Sequence, residues 1–173
     1  MPEIGKNSAK AWILAARPKT LSGAAVPVII ALSKSWADGN SINWIPALLC
    51  LLFAFVMQID ANFVNDYYDC VKGVDREDRL GPERACAQGW VSLSAIKRMI
   101  AATTLLAAVT GLPLICWGGT EMIAVGIACI VFCFLYTTLL SRVGMGDILV
   151  LLFFGIVPVC ATYFIQTQTL SPG

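Results

Sequence analysis

Apolar positions in this chain run in long stretches instead of alternating with polar ones, and the polar residues collect at the breaks. Five such stretches are legible. The first, about Leu21 to Leu32 with shoulders, is the weakest: Ser22, Gly23 and Pro27 interrupt it, and its clean run falls short of the ~20 residues that a bilayer span needs. The second runs from about Ile45 to Asp69, the third from Met99 to Trp117, the fourth from Met122 to Leu140 and the fifth from Ile148 to Ile165. Ser33 to Ser41 and Gly118 to Glu121 read as short turns, with Trp36, Trp44 and Trp117 beside them as in the aromatic belt of a membrane interface. Cys70 to Lys97 is a long polar connection, and Ser141 to Gly144 a short basic one. Ahead of the first stretch, Ala9 to Ala16 mixes Lys10 with Trp12, Ile13 and Leu14, which suits a short interfacial helix. Arg17-Pro18 then resets the chain, because proline lacks an amide donor and restricts its predecessor.

Composition agrees. The chain has 173 residues, 58% hydrophobic and 13% charged, against about a quarter charged in an average soluble domain. The expected fold class is all-α: a polytopic membrane helical bundle of about five transmembrane helices, a single membrane domain over residues 1–173. Charge sets its orientation. If the N-terminus is cytoplasmic, that side holds Lys6, Lys10, Arg17, Lys19, Lys72, Arg76, Arg79, Arg84, Lys97, Arg98 and Arg142, and the other side holds Lys34 alone. This is the pattern of the positive-inside rule and predicts an integral protein of the bacterial inner membrane. No secretory signal is read at the start, which leads into Trp12 and Arg17 without a short apolar run and cleavage site. A net charge of +1 gives no footprint for nucleic acid, and the absence of histidine removes imidazole metal sites and bases. The seven cysteines include no Cys-x-x-Cys pair, so no disulfide framework is implied; Cys129 and Cys133 read as packing residues. Gly111, Gly118, Gly119, Gly126 and Gly155 fit close helix packing.

The end of the second stretch carries the chemistry. With about 100° per residue, and measured from Gln58, Asn62 falls near 40°, Asn65 near −20°, Asp66 near 80° and Asp69 near 20°. These five polar side chains share one helix face, while Asp60, near 200°, faces away and calls for a partner on a neighbouring helix. An ionised Asp at the centre of a membrane helix costs on the order of 2.5–3.5 kcal/mol on insertion scales, so such residues usually line a cavity or bind something. A row of acids with flanking amides suggests a divalent metal. Gly73 is a natural helix terminator, after which Asp75 can fold back toward Asp69. Arg79 and Arg84, on a loop containing Gly81-Pro82, can cover the same mouth. Mg²⁺ takes one or two carboxylates plus phosphate oxygens and waters, and Arg recognises phosphate with paired hydrogen bonds. The expected ligand is therefore a diphosphate.

The run Asn65-Asp66-x-x-Asp69-x-x-x-Gly73-x-Asp75, followed by Arg79-x-Gly81-Pro82-x-Arg84, resembles the first aspartate-rich motif of the UbiA-type intramembrane prenyltransferases. Trp12 with Arg17-Pro18-Lys19-Thr20-Leu21, and Gly144-Met145-Gly146-Asp147 leading to Phe153-Phe154-Gly155 and Tyr163 to Thr167, are similar to the 1,4-dihydroxy-2-naphthoate polyprenyltransferase branch. The resemblance implies a bundle of about nine helices with two aspartate motifs across one cavity, and transfer of a polyprenyl chain from its diphosphate to dihydroxynaphthoate in menaquinone biosynthesis. It implies Mg²⁺ as cofactor, held by Asp66, Asp69 and Asp75, with Asn65 orienting a ligand or water. Arg79 and Arg84 would grip diphosphate oxygens with Lys72 in support, Arg17 and Lys19 would draw in anionic substrate, and Asn62 would face the substrate. Part of this site would lie on a cytoplasmic loop at 70–98. After Asp147 the chain has no acidic residue, so a second aspartate motif is missing. The expectation is a truncated enzyme, inactive alone. Asp147 is read as the cap of the fifth helix. A fragment of a cation-coupled transporter, in which the acids hold the translocated ion, and an inactive remnant are the alternatives.

Overall fold

The computed structural model of the chain describes residues 4–73, 83–138 and 146–169. These form the helices α1 (Ala9–Ala16), α2 (Leu21–Ala37), α3 (Trp44–Lys72), α4 (Leu93–Gly111), α5 (Ile115–Gly118), α6 (Glu121–Thr138), α7 (Gly146–Leu151) and α8 (Val157–Thr167). Tight turns at Pro18–Thr20 and Leu112–Leu114 and a wide π turn at Leu152–Ile156 join them. No strand occurs among the described residues.

α3 is the central rod. It packs against α1, α2, α4, α6 and α8, and α8 returns to pack on α2. The Asn43 side chain caps its start by accepting the Ile45 amide at 3.3 Å. Gly73, in the left-handed region at φ 61, ends it, with its amide donated to the Asp69 and Cys70 carbonyls. At 29 residues the helix is about 43 Å long, more than the ~30 Å hydrocarbon core, so its last turns stand clear of the lipid tails. The bundle has a motif end, where α3 finishes and α4 begins, and a far end.

Among the described residues, four helical stretches are long and apolar enough to cross a membrane: Ala9–Ala37, Trp44–Lys72, Leu93–Gly118 and Ile148–Thr167; a fifth apolar helix, Glu121–Tyr136, is shorter. Large apolar side chains such as Ile29, Ile30, Leu48, Leu105, Val109 and Ile148 are exposed around the outside, as lipid-facing residues are.

The boundaries differ from the sequence reading in three places. α2 continues to Ala37, through residues expected to turn, with Ser35 buried on its inner face. α4 begins at Leu93, well before Met99, with the Ser92 hydroxyl accepting the Ala95 amide; the polar connection expected at 70–98 is correspondingly shorter. The fifth stretch is widened at Leu152–Ile156, where Pro158 offers no amide to the carbonyl four residues back. The glycines divide as well. A Cβ on Gly111 would sit 3.1 Å from the Phe53 ring, a close approach of α4 to α3, whereas one on Gly126 would meet nothing within 4 Å. Gly126 faces a hollow and not a packed helix.

Two buried layers hold the bundle. Phe63, Val64, Ala11, Ala15, Ala85, Val91, Ile96 and Ile100 form the motif-end layer; Val28, Cys50, Leu114 and Ile165 form the far one. Within the membrane Asp60, fully buried, accepts hydrogen bonds from Thr103 Oγ1, from Thr104 Oγ1 at 3.1 Å and from the Cys133 thiol at 3.9 Å. It thus finds the partner on another helix that its position opposite the polar stripe predicts. At the far end the Tyr163 hydroxyl and the Lys34 ammonium each donate to Asp38 at 2.6 Å, joining α8 to α2. The Asn43 backbone exchanges two hydrogen bonds with the Gln166 side chain.

Thr104→Val, which removes one donor to Asp60 at constant volume, is expected to destabilise the bundle by about 0.6–1.7 kcal/mol in detergent unfolding, and to cost nothing further once Asp60 is itself replaced by Leu, which has no acceptor. Hydrogen bonding from Lys34 first, and from Tyr163 second, holds the Asp38 carboxyl below its ordinary value of 3.8. Folding therefore favours the ionised form, and the contribution is present above that value and lost as pH falls through the lowered one. Thermal midpoints of the native chain and of Asp38→Asn should differ at neutral pH and converge on acidification below that range.

Candidate functional site

The polar face of α3 fans out at the motif end, and each member takes a different partner. Gln58, Ala61 and Asn65 line a cavity of about 770 Å³. Asn62, 4% exposed, instead donates to the Ala16 carbonyl at 2.9 Å and the Thr20 hydroxyl at 2.9 Å. It clamps the junction between α1 and α2, where Arg17 adopts a left-handed conformation with φ 53. That backbone costs a non-glycine residue roughly 1–2 kcal/mol, and Thr20, whose hydroxyl donates to the Arg17 carbonyl at 2.9 Å, helps to hold it.

Asp66 is 1% exposed. Its two oxygens accept the backbone amides of Ala85, at 3.1 Å, and Cys86, at 3.2 Å. Asp69, a turn nearer the end, is 21% exposed at its side chain and receives the Arg84 guanidinium at 2.6 Å. The guanidiniums of Arg84 and Arg17 are the cations whose charge acts on Asp66. Burial, and secondarily the Asp66 charge, push the Cys86 thiol up to about 12, so Cys86 stays a neutral packing group with Cys70 against its cluster.

Lys72 lies over the Tyr68 ring at 5.5 Å, and Lys97, from the first turns of α4, over Tyr67 at 5.5 Å. Lys19 is exposed on the turn after Arg17. The structure thus gathers Asn65, Asp66, Asp69 and Arg84 at the motif end of α3, with Arg17 near and Lys72 in the last turn. Asn62 serves the α1–α2 junction and not the cavity. Asp75 and Arg79, and the side chain of Asp147, lie outside the described residues. Among the described residues no three acidic, histidine or cysteine side chains come together as metal ligands; the oxygen-bearing side chains of the expected ligand set that lie within them are those of Asn65, Asp66 and Asp69.

Three groups escaped the sequence reading. The amides of Ala85 and Cys86 carry no signal in a sequence, since any residue but proline supplies one. Thr103-Thr104 was readable as a hydroxyl pair in an apolar helix, a fit partner for Asp60. The cavity itself was not expected at its size. It extends from Val28, Cys50, Leu114 and Ile165 along α3 to Asn65, with Phe132, Phe153 and Phe154 in its wall. The Phe132 and Phe153 rings stack at 3.9 Å. Among the described residues, none that lines it is charged.

An apolar hollow among membrane-length helices, with an acid–guanidinium pair on the turn of α3 beyond Asn65, defines an integral membrane protein. Residues 24–173 match the UbiA prenyltransferase family, and the chain belongs to that family. It is 34% identical to the 1,4-dihydroxy-2-naphthoate octaprenyltransferase of Escherichia coli (strain K12), over 100% of this chain and 59% of that protein. The protein of the same name from Mycobacterium tuberculosis (strain ATCC 25618 / H37Rv) is 33% identical over 90% of this chain and 53% of the relative. A solved structure from work on digeranylgeranylglyceryl phosphate synthase in membranes shares the fold, with a TM-score of 0.60 at 20% identity, over 91% of this chain and 59% of that one. The chain therefore spans a little more than half the length of the relatives it matches.

Asn62→Ala leaves the Ala16 carbonyl without its buried donor and is expected to cost about 1–3 kcal/mol. Detergent unfolding checks this, and tryptic cleavage after exposed Lys19 should quicken as the junction loosens.

Proposed function

We propose that this chain forms the diphosphate-binding half of an intramembrane aromatic prenyltransferase that transfers a polyprenyl chain from its diphosphate to 1,4-dihydroxy-2-naphthoate, a step of menaquinone biosynthesis. The observation that carries the proposal is the continuity of an uncharged cavity of about 770 Å³ with Asn65 at its polar end, on the helix whose next turn bears the Asp69–Arg84 pair. A polyprenyl diphosphate has the same polarity: a long hydrocarbon tail and a multiply charged head.

The residues divide the work accordingly. The cavity takes the tail and keeps water from the allylic carbon. Arg84, with Arg17 and Lys72 near it, meets the diphosphate oxygens, since a guanidinium matches phosphate geometry. Mg²⁺ fits the donor set, because it is usually bound by one or two carboxylates plus substrate phosphates: Asp69 offers one carboxylate, and the Asn65 amide oxygen lies a turn earlier on the same helix. Bound there, Mg²⁺ would neutralise the leaving diphosphate. Asp75 and Arg79 are proposed as further members on the strength of the motif. The allylic C–O bond breaks, the diphosphate departs, and an electron-rich ring carbon of the acceptor forms the new C–C bond with loss of its carboxylate as CO₂.

The charge asymmetry of the loops supports an inner-membrane location with the N-terminus and the mouth in the cytoplasm. A cation pathway finds less support, since no charged residue lines the cavity among the described residues.

The test is radiolabelled prenyl transfer, with and without Mg²⁺, by a polypeptide of the relatives' full length, offered naphthoate or benzoate acceptors. Asp69→Ala is expected to lower turnover by at least about a thousandfold, the scale of losing a key electrostatic group, while membrane insertion persists. Turnover retained in Asp69→Ala, or a preference for benzoate, would count against the assignment.

A further inference from the structure

Asp66 stands beside Asp69 in the motif, yet its surroundings are unlike those of a ligand-binding acid. It is 1% exposed, and its oxygens are each taken by a backbone amide, from Ala85 at 3.1 Å and Cys86 at 3.2 Å. Those two amides follow directly on Arg84, the residue whose guanidinium reaches Asp69 at 2.6 Å. Ala85 and Cys86 are themselves buried in the motif-end layer with Phe63 and Val64 of α3. The 84–86 segment is thus moored to α3 at three successive residues, two of them by one carboxylate.

We propose that Asp66 is a positioning residue: by accepting both amides it docks the 84–86 segment on α3 and so aims Arg84 at Asp69. A carboxylate suits this task better than an amide. It offers two acceptor oxygens and no donor, whereas an Asn at the same place would bring an NH₂ group against one of the two backbone N–H groups. Charge strengthens both bonds, and burial removes water as a competitor. The consequence for ligands rests on the diphosphate reading above: Asp66 supports anion binding through Arg84, without touching the anion.

The test uses this chain in lipid nanodiscs and reads the docking without any ligand. Trypsin must extract the Arg84 side chain to cut the Arg84–Ala85 bond, so cleavage there, referred to cleavage at exposed Lys97, measures release of the segment. Asp66→Asn is expected to accelerate it by about tenfold, the effect of losing roughly one charge-assisted hydrogen bond. Unchanged cleavage overturns the proposal. Should Asp66→Asn fail to fold, amide hydrogen exchange of the unsubstituted chain decides: the 85 and 86 amides are expected to be protected, and exchange at the rate of an open loop overturns the docking.

A second measurement separates positioning from bulk stability. Inorganic pyrophosphate with Mg²⁺ is titrated into the unsubstituted chain, Asp66→Asn, Arg84→Ala and the double variant. Each single substitution is expected to weaken binding by about tenfold, with no further loss in the double variant, since both remove the same guanidinium from the mouth. Additive losses would show that Asp66 acts apart from Arg84 and overturn the proposal. Failure of the unsubstituted chain to bind pyrophosphate would sink the diphosphate reading alone, because the cleavage and exchange readouts need no anion.

Discussion

Everything in this bundle depends on one constraint: a membrane helix that carries polar side chains must satisfy each of them inside the protein. α3 places Asp60, Asn62, Asn65, Asp66 and Asp69 within three turns. The buried obligations are met by different parts of the chain. Asp60 is met by the threonines of α4 and Cys133 of α6, Asn62 by the α1–α2 junction, Asp66 by the amides at 85 and 86 and Asp69 by Arg84. The polar residues that look like a functional stripe are also the fasteners by which the helix gathers its neighbours. Structure and site share the same atoms, which is why the motif end is fastened around α3 by hydrogen bonds while the lipid-facing sides rely on apolar packing.

The cavity follows from the same economy. Around it the chain uses small residues, among them Gly23, Ala54, Ala61, Ala107, Gly126 and Ala161, and a Cβ added to Gly23 or to Gly126 would meet nothing within 4 Å. Helices held at their motif end by hydrogen bonds and at the far end by the Tyr163–Asp38 and Asn43–Gln166 contacts need not close up in the middle. A hollow of about 770 Å³ lies within the range typical of ligand pockets. Among the described residues its lining carries no charge, and the charged pair of Asp69 and Arg84 stands at the last turn of α3.

Much of this was legible beforehand. Helical spacing separated Asp60 from the stripe, and Gly73 was recognisable as the residue that ends α3. The membrane architecture followed from the length of the apolar stretches. What was not legible depends on contacts between distant segments. Spacing put Asn62, Asn65, Asp66 and Asp69 on one face, but a face some 100° wide meets several neighbours at once, and the wheel cannot say which residue meets which. The partners of Asp66 are backbone amides, invisible to any reading by residue type. The early start of α4 was hidden because Lys97 and Arg98 look like loop residues, although on a helix emerging from a bilayer long basic side chains reach the interface readily. Pro158 marked the site of the widened turn, but whether a proline kinks, breaks or widens a helix depends on what packs beside it.

Burial sorts the acids of α3 more sharply than their spacing does. Asp60 is fully buried and Asp66 1% exposed, while the Asp69 side chain keeps 21% of its surface. A carboxylate that is to meet an incoming ligand must be reachable and must hold bonds that can be exchanged; an ion pair to one guanidinium on a segment near the mouth satisfies both conditions. A carboxylate engaged by two backbone amides under a packed layer satisfies neither, and its removal leaves two buried donors without acceptors. Identical residue types three positions apart thus stand in opposite surroundings, Asp69 partly exposed in an ion pair and Asp66 buried beneath two backbone amides.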